Sequence, residues 1–179
     1  MIMTDKELLS SVRVIEDFPV KGIHFQDITT LLKDPACLQE MSDRFYEHYK
    51  DKGITKVVAL ESRGFILGGA LALRLGAGFV PARKMGKLPG EKITETYELE
   101  YGHDTIEMHT GAIEPGEVVL IHDDLVATGG TMAAAWRLVQ KFKPSKVYLS
   151  AMMELTAVPK LPVFPTEEDL FSVLKVDVD

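Results

Sequence analysis

The segment 118–131, VVLIHDDLVATGGT, limits the fold more than any other part of the sequence. Its four leading apolar residues predict a short buried strand, and the pattern that follows the two glycines predicts a helix over 131–142. A buried strand that leads into a helix is the repeating unit of a parallel sheet, and such sheets bind ligands at the carboxyl ends of their strands. The segment therefore predicts an α/β fold with a ligand site after this strand.

The rest of the chain repeats this alternation of apolar runs and helical patterns. Strands are predicted at 56–60, 79–82, 118–121 and 147–153, with a final edge strand at 170–176. Helices are predicted from Thr4, over 35–51 behind a capping Asp34, over 64–75 and over 131–142. The predicted fold class is α/β, with a central and mostly parallel sheet flanked by helices.

Two stretches interrupt the alternation. Residues 84–110 begin with KMGKLPGEK, which is rich in glycine, proline and charge, and continue with alternating apolar residues on either side of a turn at 102–104. This pattern predicts a flexible lid loop followed by a β-hairpin insertion. Residues 18–32 have no clear period and predict an irregular loop within a small N-terminal hood over 1–34.

The composition excludes several classes of protein. The chain has 179 residues, 46% hydrophobic and 26% charged, which are ordinary values and predict one domain over 1–179. A net charge of −7 argues against nucleic-acid binding, which depends on neutralising phosphates. The single cysteine, Cys37, excludes an internal disulfide, and no uncharged run is long enough for a membrane span. We therefore expect a soluble, cytoplasmic protein with neither a nucleic-acid nor a membrane partner.

The turn before the helix at 131–142 has the chemistry of an anion site. Gly129 and Gly130 have no side chains, so their backbone N–H groups can approach a phosphate closely. Thr128 and Thr131 add hydroxyl donors, and the helix N-terminus contributes a partial positive charge. The sequence therefore predicts that this turn cradles a phosphate.

The paired acids upstream of the turn indicate what is attached to that phosphate. Asp123 and Asp124 would repel an anion, but their oxygens can accept hydrogen bonds from the hydroxyls of a ribose. A sugar phosphate is the predicted ligand, and the structural alternative is a capped helix behind a turn with exposed acids. The Walker-A and GxGxxG patterns are absent from the expected positions, and no histidine has metal-ligand spacing. His122 is expected to be a strand residue that finds a hydrogen bond.

The same segment resembles the phosphoribosyl-pyrophosphate-binding signature of the type I phosphoribosyltransferase family. Further blocks are similar to the branch of that family that acts on adenine, in the same order along the chain: FPVKGIHFQDITTLLKDP, ESRGFILGGALA, RKMGKLPGE, YELEYG and ELT. Together they cover most of residues 15–156. The resemblance implies a purine-salvage reaction in which adenine and phosphoribosyl pyrophosphate give AMP and pyrophosphate.

The resemblance also implies roles for individual residues. The 5′-phosphate is expected on Ala127, Thr128, Gly129, Gly130 and Thr131, and the ribose on Asp123 and Asp124. The pyrophosphate is expected on Arg63, Arg83, Lys84 and Lys87. The base is expected between Phe25 and Leu155, with the backbone of His24 and Gln26 reading its edge.

Four further expectations come from the same resemblance. Glu100 is implied as the catalytic residue, which either accepts the proton that adenine loses or stabilises a cationic sugar. Mg²⁺ is implied as the cofactor, held mainly by substrate oxygens and water rather than directly by the protein. A homodimer is implied, in which Arg83 and Lys84 serve either their own or the neighbouring subunit's site. The Glu61–Ser62 peptide is implied to be cis.

Several alternatives stay open at this level. The same chemistry on hypoxanthine, guanine or xanthine is one, because Gln26 stands where the family commonly has Arg. A regulator that senses phosphoribosyl pyrophosphate is another, although only about 50 residues precede the first sheet strand and no basic recognition helix is visible. For single side chains the alternatives are structural: Arg63 paired with Glu61, Phe25 in the core, Glu100 in solvent and Lys84 on a solvated face.

Overall fold

The fold is organised around one large sheet, observed in a computed structural model that describes residues 2–98, 102–166 and 170–177. Within these ranges nine strands are assigned: β1 (Arg13–Glu16), β2 (His24–Asp27), β3 (Lys56–Leu60), β4 (Gly78–Lys84), β5 (Lys92–Glu98), β6 (His103–His109), β7 (Val118–Val126), β8 (Lys146–Leu155) and β9 (Leu170–Val176). The same ranges contain five helices: α1 (Asp5–Ser10), α2 (Thr29–Leu32), α3 (Pro35–Tyr49), α4 (Gly64–Leu75) and α5 (Gly130–Gln140).

The large sheet has the strand order β5-β6-β4-β3-β7-β8-β9, and its five strands from β4 to β9 run parallel. Val58 of β3 lies opposite Val80 on one side and Ile121 on the other, and Ile121 lies opposite Leu149. These side chains are buried because helices cover both faces, with α5 on one face and α3 and α4 on the other. The predicted parallel sheet, including the edge strand at 170–176, is confirmed.

The predicted hairpin extends this sheet. β6 pairs antiparallel with β4, where Arg83 lies opposite Glu107, and β5 pairs with β6 along its whole length. The hairpin strands are longer than the sequence pattern predicts, because β5 already begins at Lys92. Glu100 lies outside the described residues, as do its neighbours at 99 and 101. The hairpin therefore continues the sheet edge that carries the lid loop at 85–91.

The N-terminal hood contains regular structure where the sequence predicts an irregular loop, so that prediction was wrong. β1 and β2 pair antiparallel from Arg13 opposite Asp27 to Glu16 opposite His24, and α2 follows directly. The Thr29 hydroxyl, followed by the Arg13 guanidinium, lowers the pKa of Asp27 to about 2. The sequence pattern does not reveal this structure, because the segment is held by the pairing of two short strands and by one carboxylate rather than by an amphipathic pattern.

The longer helices follow the predicted bounds closely. α4 spans the predicted 64–75, whereas α3 ends at Tyr49, two residues before the predicted end. α1 begins with the predicted capping box between Thr4 and Glu7. Among the described residues, none of the helices combines the length and the apolar character needed to cross a membrane.

Candidate functional site

The turn between β7 and α5 forms a small concave site. Gly129 has φ +80°, and a Cβ atom at this position would lie 2.3 Å from Cδ2 of Phe164. Both facts require glycine here, because other residues rarely adopt this φ and the aromatic ring leaves no room. A cavity of about 150 Å³ lies against the turn, lined by Asp123 and residues 125–132. A larger cavity of about 1020 Å³ continues from Thr128, Gly130 and Thr131 to the hairpin.

The sequence predicts that the strand ends at residue 121 and that the two aspartates lie in the loop after it. In the structure both aspartates lie within β7. β7 is longer than predicted because it pairs with β8 as far as Val126, opposite Glu154. The backbone N–H of Asp124 donates to Oδ1 of Asp123 at 2.8 Å. Burial, followed by the nearby carboxylate of Asp124, raises the pKa of Asp123 well above its usual range. Two close carboxylates of this kind favour ligands that donate hydrogen bonds.

The turn between β3 and α4 brings a cation to these acids. Nε of Arg63 lies 2.7 Å from Oδ2 of Asp124, in an ion pair whose N–H direction does not satisfy hydrogen-bond geometry. The guanidinium carbon of Arg63 also lies 5.2 Å from the ring centroid of Phe25. The alternative in which Arg63 pairs with Glu61 is wrong, because Glu61 pairs with Arg83 at 3.2 Å. The Glu61–Ser62 peptide is cis, as the resemblance implied.

Glycine allows α4 to approach β7 at this point. A Cβ atom at Gly64 would lie 3.0 Å from the backbone oxygen of His122 and 3.2 Å from Cα of Asp123. His122 itself is fully buried, and its Nδ1 lies 2.8 Å from Oγ of Ser150, as expected for a strand residue with a hydrogen-bond partner. Burial lowers the pKa of His122 to about 3, so the ring is neutral at physiological pH. The close approach of α4 brings Arg63 within reach of Asp124.

The cations of the lid segment have different partners. Arg83 donates from Nη1 to the backbone oxygen of Lys87 at 2.8 Å, in addition to its ion pair with Glu61. Nζ of Lys84 lies 3.0 Å from Oδ2 of Asp104, and this contact raises the pKa of Lys84. The side chain of Lys87 is exposed and has neither an ion pair nor a hydrogen bond with the described part of the chain. Of these three cations, Lys87 is the one most accessible to a ligand.

A buried acid that the sequence analysis missed fixes the start of the lid loop. Glu107 is 2% exposed, accepts a hydrogen bond from the backbone N–H of Gly86 at 3.1 Å and lies 3.4 Å from Nζ of Lys92. Leu88 in the same loop is buried. The alternating pattern of β6 places position 107 on a face, but it does not indicate that a charged residue there is buried against the loop.

The expected base-binding residues are grouped in and near the hood. Phe25 is half-buried and packs perpendicular to Phe18, with ring centroids 5.2 Å apart. Gln26 is buried, and its Nε2 donates to the backbone oxygen of its neighbour His24 at 3.4 Å. Leu155 is the last residue of β8 and is partly buried. The aromatic ring of Phe25 is thus linked through Arg63 to Asp124 in β7.

The site therefore combines a glycine-containing turn at the start of a helix, a pair of acids, one bridging arginine and an aromatic ring. Among the described residues, no group of three or more His, Cys, Asp and Glu side chains is arranged to hold a metal ion. The oxygens of Asp123 and Asp124 are nevertheless hard ligands that suit contact with a hydrated Mg²⁺. The arrangement can bind a sugar phosphate and place a planar base beside it.

Comparison with known proteins agrees with this chemistry. The model of the phosphoribosyl transferase domain matches residues 27–162. The adenine phosphoribosyltransferase of Bacteroides thetaiotaomicron is 56% identical over 174 residues, which are 97% of this chain and 99% of that protein. The crystal structure of the Rhodothermus marinus adenine phosphoribosyltransferase has a TM-score of 0.90 and 48% identity, and covers 96% of this chain and 98% of its own. The Giardia lamblia enzyme complexed with 9-deazaadenine has a TM-score of 0.90 and 41% identity, over 98% and 99% of the two chains.

Proposed function

This chain belongs to the adenine phosphoribosyltransferase family, and from that premise we propose which of its residues carry out the reaction and how. The enzyme transfers the 5-phosphoribosyl group of phosphoribosyl pyrophosphate to adenine, giving AMP and pyrophosphate in purine salvage. A ring nitrogen of the base attacks the anomeric carbon as the diphosphate leaves, and the sugar passes through a cationic state. Because no covalent bond to the protein is needed, the chain contributes positioning and electrostatics.

The turn at 127–131 binds the 5′-phosphate in this proposal, and it is the observation on which the proposal mainly depends. Its glycine at φ +80°, its adjoining cavity and the start of α5 are the features of a main-chain anion site. Backbone N–H groups of Ala127, Thr128, Gly129 and Gly130 and the hydroxyls of Thr128 and Thr131 supply the donors. The phosphate anchors the substrate at one end.

Asp123 and Asp124 bind the ribose hydroxyls in this proposal. Asp124 is 7% exposed, and its Oδ2 has an ion pair with Arg63 but accepts no hydrogen bond from the described residues, so movement of Arg63 would leave this oxygen to a ligand donor. The same hard oxygens suit water molecules of a Mg²⁺ ion that the diphosphate and ribose would hold. That ion would neutralise charge on the diphosphate as it leaves. Asp123 and Asp124 would orient the sugar and its hydration.

Arg63, Arg83, Lys84 and Lys87 bind the pyrophosphate in this proposal. Lys87 has a side chain free to close over the leaving group, while Arg63 lies beside Asp124 at the start of α4. To bind the pyrophosphate of their own subunit, Arg83 must first leave Glu61 and Lys84 must leave Asp104. The alternative is that both cations bind the pyrophosphate of a neighbouring subunit. Glu100 stabilises the cationic sugar or accepts the adenine proton.

Phe25 stacks on adenine in this proposal, Leu155 lies on the opposite side, and the backbone of His24 and Gln26 reads the edge of the base. Rates of nucleotide formation from phosphoribosyl pyrophosphate with adenine, hypoxanthine, guanine and xanthine test the proposal. We expect adenine to be preferred by at least about tenfold, because a keto purine presents an acceptor where adenine presents a donor. Equal rates with a keto purine would contradict the proposed base site.

A second copy of the chain covers an exposed apolar surface in this proposal. Ile66 and Leu73 lie two turns apart on one face of α4 and are 49% and 84% exposed. Two further exposed apolar residues follow in the chain, Phe79 in β4 and Met85 at the start of the lid loop. This surface includes the elements that carry Arg63, Arg83 and Lys84, so a partner there would lie beside the site. Sedimentation should give a dimer that Leu73→Glu dissociates, whereas Val163→Glu should leave it intact.

A cytoplasmic location completes the proposal. Cys37 is the one cysteine of the chain and is a free, buried thiol, which is compatible with a reducing compartment. Fractionation of cells that contain the protein should recover it with cytoplasmic enzymes.

A further inference from the structure

Arg63 contacts two residues that belong to different parts of the proposed nucleotide site. Its guanidinium carbon lies over the ring of Phe25, 5.2 Å from the centroid, and its Nε lies 2.7 Å from Oδ2 of Asp124. Phe25 is the residue proposed to stack on the base, and Asp124 is proposed to bind the ribose. One side chain therefore bridges the hood and the central sheet through residues that the substrates also require.

The position over Phe25 conflicts with base binding. Phe25 is half-buried and its ring also packs against Phe18, so only part of the ring is accessible. A purine that stacks on the accessible part competes with the guanidinium of Arg63 for the same surface. Stacking of adenine on the face of Phe25 that Arg63 covers would therefore require the guanidinium to move away.

The position beside Asp124 indicates what displaces Arg63. The arginine is held by one carboxylate and one aromatic ring, and its side chain is 36% exposed. A diphosphate carries several negative charges and can accept bidentate hydrogen bonds from a guanidinium, which makes it a stronger partner than an accessible aromatic ring. Arg63 also lies directly before α4, the helix whose N-terminus favours anions.

We propose that Arg63 couples the two substrate sites: pyrophosphate, or the diphosphate of the sugar substrate, draws the guanidinium away from Phe25 and so raises the affinity for adenine. The inference rests on the roles proposed above for Phe25 and Arg63. Coupling of this kind is reciprocal, so adenine raises the affinity for pyrophosphate by the same factor. The device ensures that the base site is fully open when the leaving group is in place.

Calorimetric titration of the intact protein with adenine, with and without saturating magnesium pyrophosphate, measures the coupling without turnover. We expect adenine to bind at least about fivefold more tightly when pyrophosphate is present. The reverse titration, with pyrophosphate into protein that is saturated with adenine, should give the same factor. Equal adenine affinity under both conditions would overturn the inference.

The variant Arg63→Gln separates coupling from simple loss of an anion contact. It should bind adenine alone more tightly than the wild type does, and pyrophosphate should no longer change that affinity. Lys87→Gln is the matched control, because Lys87 is a proposed pyrophosphate contact that touches neither Phe25 nor Asp124. It should weaken pyrophosphate binding and keep the coupling factor. Coupling that survives in Arg63→Gln would overturn the inference.

Two further results keep the test decisive. If Arg63→Gln does not fold, Arg63→Lys replaces it, because lysine keeps the charge for pyrophosphate but lacks the planar group that lies over Phe25. That variant should lose the coupling and keep most of its pyrophosphate affinity. Synthesis of AMP by the wild type is measured in parallel. An active enzyme without coupling contradicts only this inference, whereas absence of AMP synthesis would contradict the proposed function itself.

Discussion

The helices of this protein begin in two different ways. α3 begins at Asp34, whose carboxylate accepts hydrogen bonds from the backbone N–H groups of Ala36 and Cys37, and α1 begins with its own capping box. α4 and α5 begin at Arg63 and Gly129, and in the described part of the chain no side chain caps either of them. The four-residue α2 also begins without a side-chain cap, at Ile28, and the two longer helices that do so are those that follow β3 and β7 at the carboxyl edge of the parallel sheet.

This difference separates the parts of the chain that stabilise the fold from those that bind ligands. A side-chain cap satisfies the first N–H groups of a helix and adds to its stability. A helix start without such a cap keeps those donors available for an anion, together with the positive end of the helix dipole. The chain thus uses capped helices as supports and leaves the two helix starts at the proposed site open.

The largest expected effect comes from closing one of the open helix starts. Gly129→Ala should lower kcat/KM by about 100-fold or more, because the new Cβ would collide with Phe164 and displace the turn. Steady-state kinetics of the folded variant measure this loss. Gly116→Ala is the matched control, since it has a similar φ of +86° with no atom within 4 Å of the added Cβ. It should lose some stability but keep its activity, and equal activity losses in both variants would contradict the account.

The next effect tests whether the acids of β7 serve a ligand at the expense of the fold. Asp123→Asn should lower kcat/KM by about 10- to 100-fold, because an amide NH2 donor replaces one of the oxygens that can accept from the ribose hydroxyls. The variant should also unfold at a higher temperature than the wild type. Because burial raises the pKa of Asp123, the folded protein opposes its ionisation, and wild-type stability falls as the pH rises from the usual aspartate pKa through the raised one.

Thermal unfolding at a series of pH values measures this second effect. The advantage of Asp123→Asn should be absent at low pH, where the carboxyl is protonated in both states, and should grow as the pH rises. The exposed Asp51 provides a control. Asp51→Asn should change neither the activity nor the way the unfolding temperature depends on pH. A variant that is both inactive and less stable at every pH would show that Asp123 supports the fold.

A smaller effect is expected at the neighbouring position of β7, where the side chain is structural. Burial lowers the pKa of His122 to about 3, so the unfolded chain takes up a proton below about pH 6.5 while the folded chain does not. Wild-type stability should therefore fall as the pH decreases from 6.5 to 3. His122→Leu should remove this dependence. Its free energy of unfolding at pH 5 should exceed that of the wild type by roughly 2 kcal/mol.

Urea unfolding at pH 7 and pH 5 measures the difference, and activity at pH 7 should be retained. The exposed His103 is a control for the loss of a histidine outside the core, and His103→Gln should keep the wild-type difference in stability between the two pH values. If the difference in the free energy of unfolding between His122→Leu and the wild type is the same at both pH values, the claim that buried His122 stays neutral in the folded protein is contradicted.

The smallest effect is expected where a helix carries a cap. Asp34→Ala removes the acceptor for two N–H groups of α3 and should lower the thermal unfolding midpoint by about 3 °C. The activity at 25 °C should match that of the wild type, because α3 packs on the face of the sheet away from the turn at 127–131. A tenfold loss of activity in this variant would contradict the claim that side-chain caps stabilise the fold without taking part in the reaction.

The parts of the fold that the sequence predicts well are those held by local signals. The bounds of α4, the parallel strands and the open turn before α5 follow from apolar runs, glycines and capping residues that act within a few positions. The hood was predicted as a segment, but its strand pair was not, because β1 and β2 are only four residues each and depend on the contact of Asp27 with Arg13. The end of β7 was placed too early, since its pairing with β8 carries the strand through both aspartates.

The side-chain partners at the candidate site were harder to predict than the elements. The sequence indicates that Arg63 and Glu61 are near each other, yet Arg63 pairs with Asp124 and Glu61 with Arg83. These choices depend on how closely α4 approaches β7 at Gly64, which is a tertiary distance. The burial of Glu107 under the lid loop is of the same kind.

A crystal structure with bound AMP tests the central claim most directly, because AMP contains the phosphate, the ribose and the base together. The account predicts the phosphoryl oxygens within about 3 Å of the backbone nitrogens of Thr128, Gly129 and Gly130. It also predicts the ribose hydroxyls on the carboxylates of Asp123 and Asp124. A phosphate bound at the Glu61–Ser62 turn instead, or aspartate side chains that make no contact with the ribose, would contradict it.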